Sequence, residues 1–219
     1  KVKEIKEMGY RTGLIGDVFN KLFFEWLVKN TDMDLNEALE TLVKVFEPIR
    51  SQIDFVCVGN HDMGIEKKTG FSIVEAFATR LNVPVVRGIG ILHYRVGKYR
   101  NTGKRSNSYI FAVTHGWGGG RKKGSKANKS VEFGDLIEGV DGSIIGHVHD
   151  PMSVPYSKLT YDAQHSLVSK KVIRNIVLSS FLGYPEYAQQ KGYSPSANIE
   201  YLIELDGSKK KIEIHEREF

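Results

Sequence analysis

Gly59-Asn60-His61-Asp62 places an amide oxygen, an imidazole and a carboxylate in one short segment, directly after the apolar run Phe55-Val56-Cys57-Val58. Three other apolar runs end in residues of the same chemical kind: Asp17 follows Leu14-Ile15-Gly16, His115 follows the run to Thr114, and His147 and His149 follow Ile145-Gly146. Asp17, Asn60, His115, His147 and His149 together offer a carboxylate, an amide oxygen and three imidazole nitrogens. Such a set suits a borderline divalent cation such as Mn, Fe, Zn, Co or Ni. It does not suit Ca or Mg, which prefer an all-oxygen shell. Each piece alone is weak, since Gly-Asp also reads as a turn and a lone histidine as a satisfied loop residue.

The elements must bring these residues together. Short, continuously apolar, β-branched runs read as buried strands. Strands are expected over Tyr10–Gly16, Phe55–Val58, Asn107–Thr114 and Ser143–Gly146. Parallel strands in β-α-β units present their C-terminal ends along one edge, where ligands usually sit. Helices are expected over Lys1–Gly9, closed by its glycine, and over Leu35–Arg50, capped by Asp34, with Leu35, Leu39, Leu42 and Phe46 as the buried stripe. A Ser72-x-x-Glu75 capping box should open a helix to Leu81. The aromatic segment Phe19–Val28 reads as a helix wedged into the core, or else against a partner surface. Leu92, Tyr94 and Val96 alternate with His93 and Arg95 as in a half-buried strand. After Val154 the helical signal fades into short strands over 166–169, 172–180, 199–205 and 209–216, with Asp206-Gly207 marking a hairpin. His93, His165 and His215 lie away from the predicted strand ends and read as structural or surface residues.

The 219 residues can bury a sizeable core, and one domain over 1–219 is expected. Lys and Arg exceed Asp and Glu by 31 to 26, a net charge of +5 that permits an anionic substrate without requiring one. No run approaches the roughly 18 apolar residues of a membrane-spanning helix, so no membrane partner is expected. Cys57 is the single cysteine and lies in an apolar run, so no intrachain disulfide can form and a cytoplasmic location is expected.

In this order the motifs resemble those of the calcineurin-like metallophosphoesterase family: Gly16-Asp17, then Gly59-Asn60-His61-Asp62, then His115-Gly116, then Gly146-His147-Val148-His149. The resemblance covers Gly16 to His149. The family's upstream Asp-x-His block is absent from the sequence, and the expectation is that it precedes Lys1. The resemblance implies an α/β fold, the two-sheet αββα sandwich of that family without its first strand, with the late hairpin extending the second sheet. It implies that Asp17 bridges two divalent ions, that Asn60, His115 and His147 complete one site, and that His149 serves the other. His61 would act beside the phosphate as electrostatic stabiliser or general acid, oriented by Asp62.

The implied activity is that of a metal-dependent hydrolase of phosphoric esters. Two cations lower the pKa of a shared water and neutralise phosphoryl oxygens. The arginines that phosphoprotein phosphatases of the family carry after Gly-Asp and near Gly-Asn-His-Glu are missing here, which leans the reading toward a phosphodiesterase or nuclease acting on nucleic acid or nucleotides. A metallophosphoesterase-like scaffold with little activity and a small-molecule phosphomonoesterase are the alternatives. The glycine-rich basic stretch after His115, with Arg121, Lys122 and Lys123 followed by Lys126 and Lys129, reads as a loop that could engage a phosphate backbone, with Trp117 available to stack a base. A solvated loop is the plainer reading. Tyr184, Tyr187 and Tyr193 are a further candidate substrate wall.

Overall fold

The computed structural model describes residues 1–19, 34–97, 106–118, 122–181, 190, 192 and 195–219. Among the described residues it is a mixed α/β structure with three sheets and no barrel. Its contacts divide it into two compact units, one of residues 1–89 with 114–116, the other of 90–113 with 117–219.

The first unit opens with helix α1 (Val2–Met8), stopped by Gly9 at φ 67°, a left-handed C-cap that glycine adopts without strain. Strand β1 (Thr12–Ile15) follows. Helix α2 (Leu35–Phe46) begins at a full capping box: the Asp34 side chain accepts from the Glu37 N–H, and the Glu37 side chain accepts from the Asp34 N–H. The helix does not run on to Arg50. Pro48 cannot donate to it, and Glu47–Gln52 tighten into a 3-10 turn. Strand β2 (Ile53–Cys57) then leads into helix α3 (Asn60–Thr69), and helix α4 (Ile73–Leu81) into β3 (Val85–Val86). Ser72 caps α4 without the expected capping box. Arg87 takes both partners instead, donating to Ser72 Oγ at 3.0 Å and to Glu75 Oε1 at 2.7 Å.

Strands β1, β2 and β3 form a parallel sheet with β2 central, in register Ile15 to Cys57 and Cys57 to Val86. The core beside it gathers Leu39, Ile49, Val56, Ile65, Val74 and Phe77. Phe77, fully buried, meets Phe19 and Phe46 edge-on at centroid distances of 6.0 and 5.6 Å. Of the expected aromatic helix, Phe19 is thus a core residue; 20–28 lie outside the described residues.

The second unit carries β4 (Ile89–Val96), β5 (Asn107–Thr114), helix α5 (Lys123–Leu136), β6 (Gly142–Ile145), β7 (Met152–Asp162) and β8 (Leu167–Val177). Its five-stranded sheet has the order β4-β5-β6-β8-β7, with β6 parallel and β7 antiparallel to β8. Along β4 the expected alternation holds, with Leu92, Tyr94 and Val96 half-buried between exposed His93 and Arg95. The hairpin of β9 (Ile199–Leu205) and β10 (Ile212–Glu218) does not extend this sheet but forms a two-stranded one of its own. Its apolar residues Ile203, Leu205, Ile212 and Ile214 pack on Tyr109 and Phe111 of β5 and on Leu92 and Tyr94 of β4. Covering that face buries more apolar surface than lengthening an edge would.

The basic stretch after His115 is also different from its expected form. Lys123 begins α5, so Lys123, Lys126 and Lys129 are helical rather than part of a loop. Propensity hides this start, since Gly124 and Ser125 stand in the first turn. Tertiary anchors supply the stability: Phe133 is buried, Trp117 packs on it edge-on at 5.9 Å, and Lys126 Nζ lies 3.3 Å from Asp150. Gly134 lets the helix approach β8 closely, because a Cβ there would collide with the Asn175 side chain. No helix among the described residues is long and apolar enough to cross a membrane.

Candidate metal centre

Asp17, Asn60, His61, Asp62 and His115 all belong to the first unit. Parallel pairing of β1 and β2 brings their C-terminal ends side by side, so Gly16-Asp17 and Gly59-Asn60-His61 meet as the spacing predicts. Two glycines make the approach close enough. Gly16 stands at φ 81°, and a Cβ on it would run into the His115 ring; a Cβ on Gly59 would run into the Asp17 carboxylate and backbone.

Gly59-Asn60-His61-Asp62 is not a free loop but the opening turn of α3, with Gly59 as N-cap. The first N–H groups of a helix lack partners within it. Two carboxylates supply them: Asp17 Oδ1 accepts from His61 N at 2.8 Å, and Asp62 Oδ2 accepts from Gly59 N at 2.8 Å. Asp62 Oδ1 accepts in addition from Phe19 N at 2.9 Å. The expected role of Asp62 therefore changes. Both its oxygens serve backbone donors that pin the two strand ends together, and among the described hydrogen bonds none joins it to His61. Burial pushes the Asp62 carboxyl above its ordinary value, against the pull of those two N–H donors. His61 Nδ1 is buried and has no hydrogen-bond partner among the described residues. Such a group calls for an explanation, and a ligand or catalytic role is one.

His115 is the hinge of the arrangement. Its Nδ1 lies 2.8 Å from the Ile15 carbonyl, which can only accept, so Nδ1 carries a proton. Its Nε2 faces Asn60 Oδ1 at 3.0 Å and Asp17 Oδ2 at 3.4 Å. Burial opposes the imidazolium, but the Asp17 carboxylate and the Ile15 carbonyl outweigh it and hold the His115 pKa above its ordinary value. In turn, burial pushes Asp17 up, and His115 together with the His61 N–H pulls it below the ordinary carboxylate range. A proton satisfies this convergence of nitrogen and oxygens, and so would a borderline divalent cation. A histidine that ligates through one nitrogen while donating the other N–H to a backbone carbonyl is the usual second-sphere arrangement of metal sites. His115 is buried while Asn60 is exposed, so the donors open to solvent on one side.

In the second unit, His147 and His149 follow β6 as the sequence predicts, both half-buried. Their backbone is left-handed, at φ 65° and 50°, and Asp17 shares that conformation at φ 52°. Non-glycine residues pushed into this region concentrate at functional sites. The only other described non-glycine residues with positive φ are Asn82, which caps α4, and Ser166, in the β7–β8 turn.

Trp117 is 45 % exposed even with its edge on Phe133, Lys122 is the N-cap of α5, and Lys123 lies 3.9 Å from Asp150. Arg121, Tyr184, Tyr187 and Tyr193 lie outside the described residues. The three remaining histidines are exposed, as expected, and bonded to neighbours: His93 to Ser108, His165 to Asp162 and His215 to Glu204. Sequence reasoning missed the Ile15 carbonyl and the Phe19 N–H, because backbone groups leave no residue-type signal. No family model, curated protein or solved structure matches the chain.

Proposed function

We propose that this chain is a metal-dependent phosphoesterase, in the first place a phosphodiesterase or nuclease, with the two-sheet sandwich of the calcineurin-like metallophosphoesterases. The observation that carries the reading is the convergence of His115 Nε2, Asn60 Oδ1 and Asp17 Oδ2, with His115 Nδ1 anchored on the Ile15 carbonyl. Asp17, Asn60, His115 and His147 would hold one divalent cation, Mn in the first place, and Asp17 and His149 would contribute to a second. Bound there, the ions would activate water as nucleophile and offset the charge of the phosphoryl oxygens.

The residues have distinct tasks. Asp17 holds its charge, because His115 and the His61 N–H keep its carboxyl ionised. Asn60 contributes an oxygen without a charge. His61, fixed by its N–H on Asp17 and with Nδ1 unengaged among the described residues, would give a proton to the departing alkoxide. Such proton transfer is worth about 10²–10⁴-fold. Asp62 is a positioning residue that fixes the strand-to-helix turn.

The test is hydrolysis of bis-(p-nitrophenyl) phosphate and single-stranded DNA by the full chain with Mn²⁺. Cleavage abolished by EDTA and lowered about 10²–10⁴-fold by His61→Ala is expected. No cleavage, or cleavage indifferent to His61→Ala, overturns the proposal.

A further inference from the structure

A cleft of about 460 Å³ opens in the second unit between the β7–β8 hairpin, the residue before β6 and the β9–β10 connection. Among the described residues, Lys170, Lys171, Arg174, Lys210 and Lys211 line it against a single carboxylate, Asp141. That carboxylate is already shared by Lys171 at 3.2 Å and Lys210 at 2.8 Å. Lys211 is paired with Glu213. Lys170 and Arg174 have no carboxylate partner among the described ion pairs, although Arg174 is half-buried. A partly desolvated guanidinium without a counter-charge is unfavourable by itself, and its planar fork matches phosphate oxygens. Val172, between the two, gives the cleft an apolar patch, and the hydroxyls of Thr160 and Ser169, 2.9 Å apart, add hydrogen-bonding groups.

The place of the cleft separates it from the proposed metal ligands of this unit. Arg174 pairs with Gly142, the first residue of β6, and Asp141 precedes that strand. His147 and His149 follow its other end. Four residues of strand, about 13 Å, lie between.

We propose that this cleft is an accessory site for the phosphodiester backbone of a nucleic-acid strand. Along β8, Lys170 and Arg174 stand about 13 Å apart by strand rise, which exceeds the reach of one phosphate ion. A strand carries a phosphate at every nucleotide, so a few successive nucleotides would satisfy both ends at once. Among the described residues no aromatic side chain lines the cleft, so recognition would be through the backbone and indifferent to base sequence. The choice of nucleic acid over other polyanions rests on the phosphodiesterase reading; the anion site does not.

The experiment is fluorescence anisotropy of a labelled oligothymidylate with the full chain in EDTA, across a NaCl series. The Lys170→Gln/Arg174→Gln variant is expected to bind about tenfold more weakly, with the slope of log K against log [NaCl] reduced by about 1.4, two single-strand phosphate contacts. EDTA suppresses metal-dependent cleavage, so the binding read here is separate from hydrolysis and stands or falls independently of it. Pyrophosphate is expected to compete only weakly. Unchanged affinity and slope in the double variant overturns the proposal, as does full competition by pyrophosphate at equal concentration. Should the double variant fail to fold, Lys170→Glu, at an exposed hairpin position, carries the same expectation with a slope change of about 0.7 or more.

Discussion

Gly16 shows how much of the proposed metal centre is set by a residue that would ligate nothing. Its positive φ turns the chain after β1, and its missing side chain is the space the His115 ring occupies. Gly16→Ala is expected to cost about 1–2 kcal/mol in backbone strain. It is also expected to weaken Mn²⁺ binding about 10–100-fold in calorimetry, the range for losing a supporting neighbour of a ligand. Unchanged Mn²⁺ affinity would show that Gly16 serves only the turn. At this scale the sequence was informative about donors, since Asp17, Asn60 and His115 announce themselves by type and by position after apolar runs. It was uninformative about their orientation. Asp62 looks like a partner of its neighbour His61, yet it binds the N–H groups of Phe19 and Gly59, one of them across 43 residues.

Elements with a local cause were the legible ones. Asp34 and Glu37 specify the start of α2 within four residues, and Asp34→Ala is expected to lower stability by about 0.5–2 kcal/mol in urea unfolding. A loss below a few tenths would show that the capping box contributes nothing to the folded state. Elements held by distant partners were not legible. Strand β7 runs Met152–Asp162: Met152, Val154 and Tyr156 alternate with Ser153, Pro155 and Ser157, but the pattern is short, carries a proline and lapses at Lys158. It forms because its whole length pairs with β8, and Pro155 is tolerated because β7 is an edge strand. The start of α5 at Lys123, inside the basic stretch read as a loop, has the same origin, in Phe133, Trp117 and Asp150 rather than in the propensities of its first turn.

At the scale of the whole chain, the balance of charge matters through particular burials rather than through the net +5. Asp141, 4 % exposed in its side chain, ties the start of β6 to Lys171 of β8, to Lys210 beyond β9 and to the Ile110 N–H of β5. Burial raises its carboxyl, but Lys210 and the Ile110 N–H overcome it and hold the pKa below its ordinary 3.8. A depressed folded-state pKa stabilises the native state fully above the unfolded value and less as pH falls through the folded one. Asp141→Asn is therefore expected to cost about 1–3 kcal/mol at neutral pH. The gap between parent and variant should close as unfolding is followed below about pH 4. A gap that stays constant with pH would sink this account. The β9–β10 hairpin was visible as a pair of strands around Asp206-Gly207. Its position over β4 and β5 was not, because an amphipathic hairpin carries the same pattern whether it prolongs a sheet or covers one.

The left-handed backbone at Asp17, His147 and His149 sets stability and chemistry against each other. Glycine at any of the three would relax a conformation that costs of order 1–3 kcal/mol, and would delete a proposed metal ligand in the same stroke. A search for hardier variants by thermal selection alone would therefore drift toward glycine at these positions, returning a firmer fold with its chemistry erased. Screens on this scaffold need a functional readout beside the melting curve.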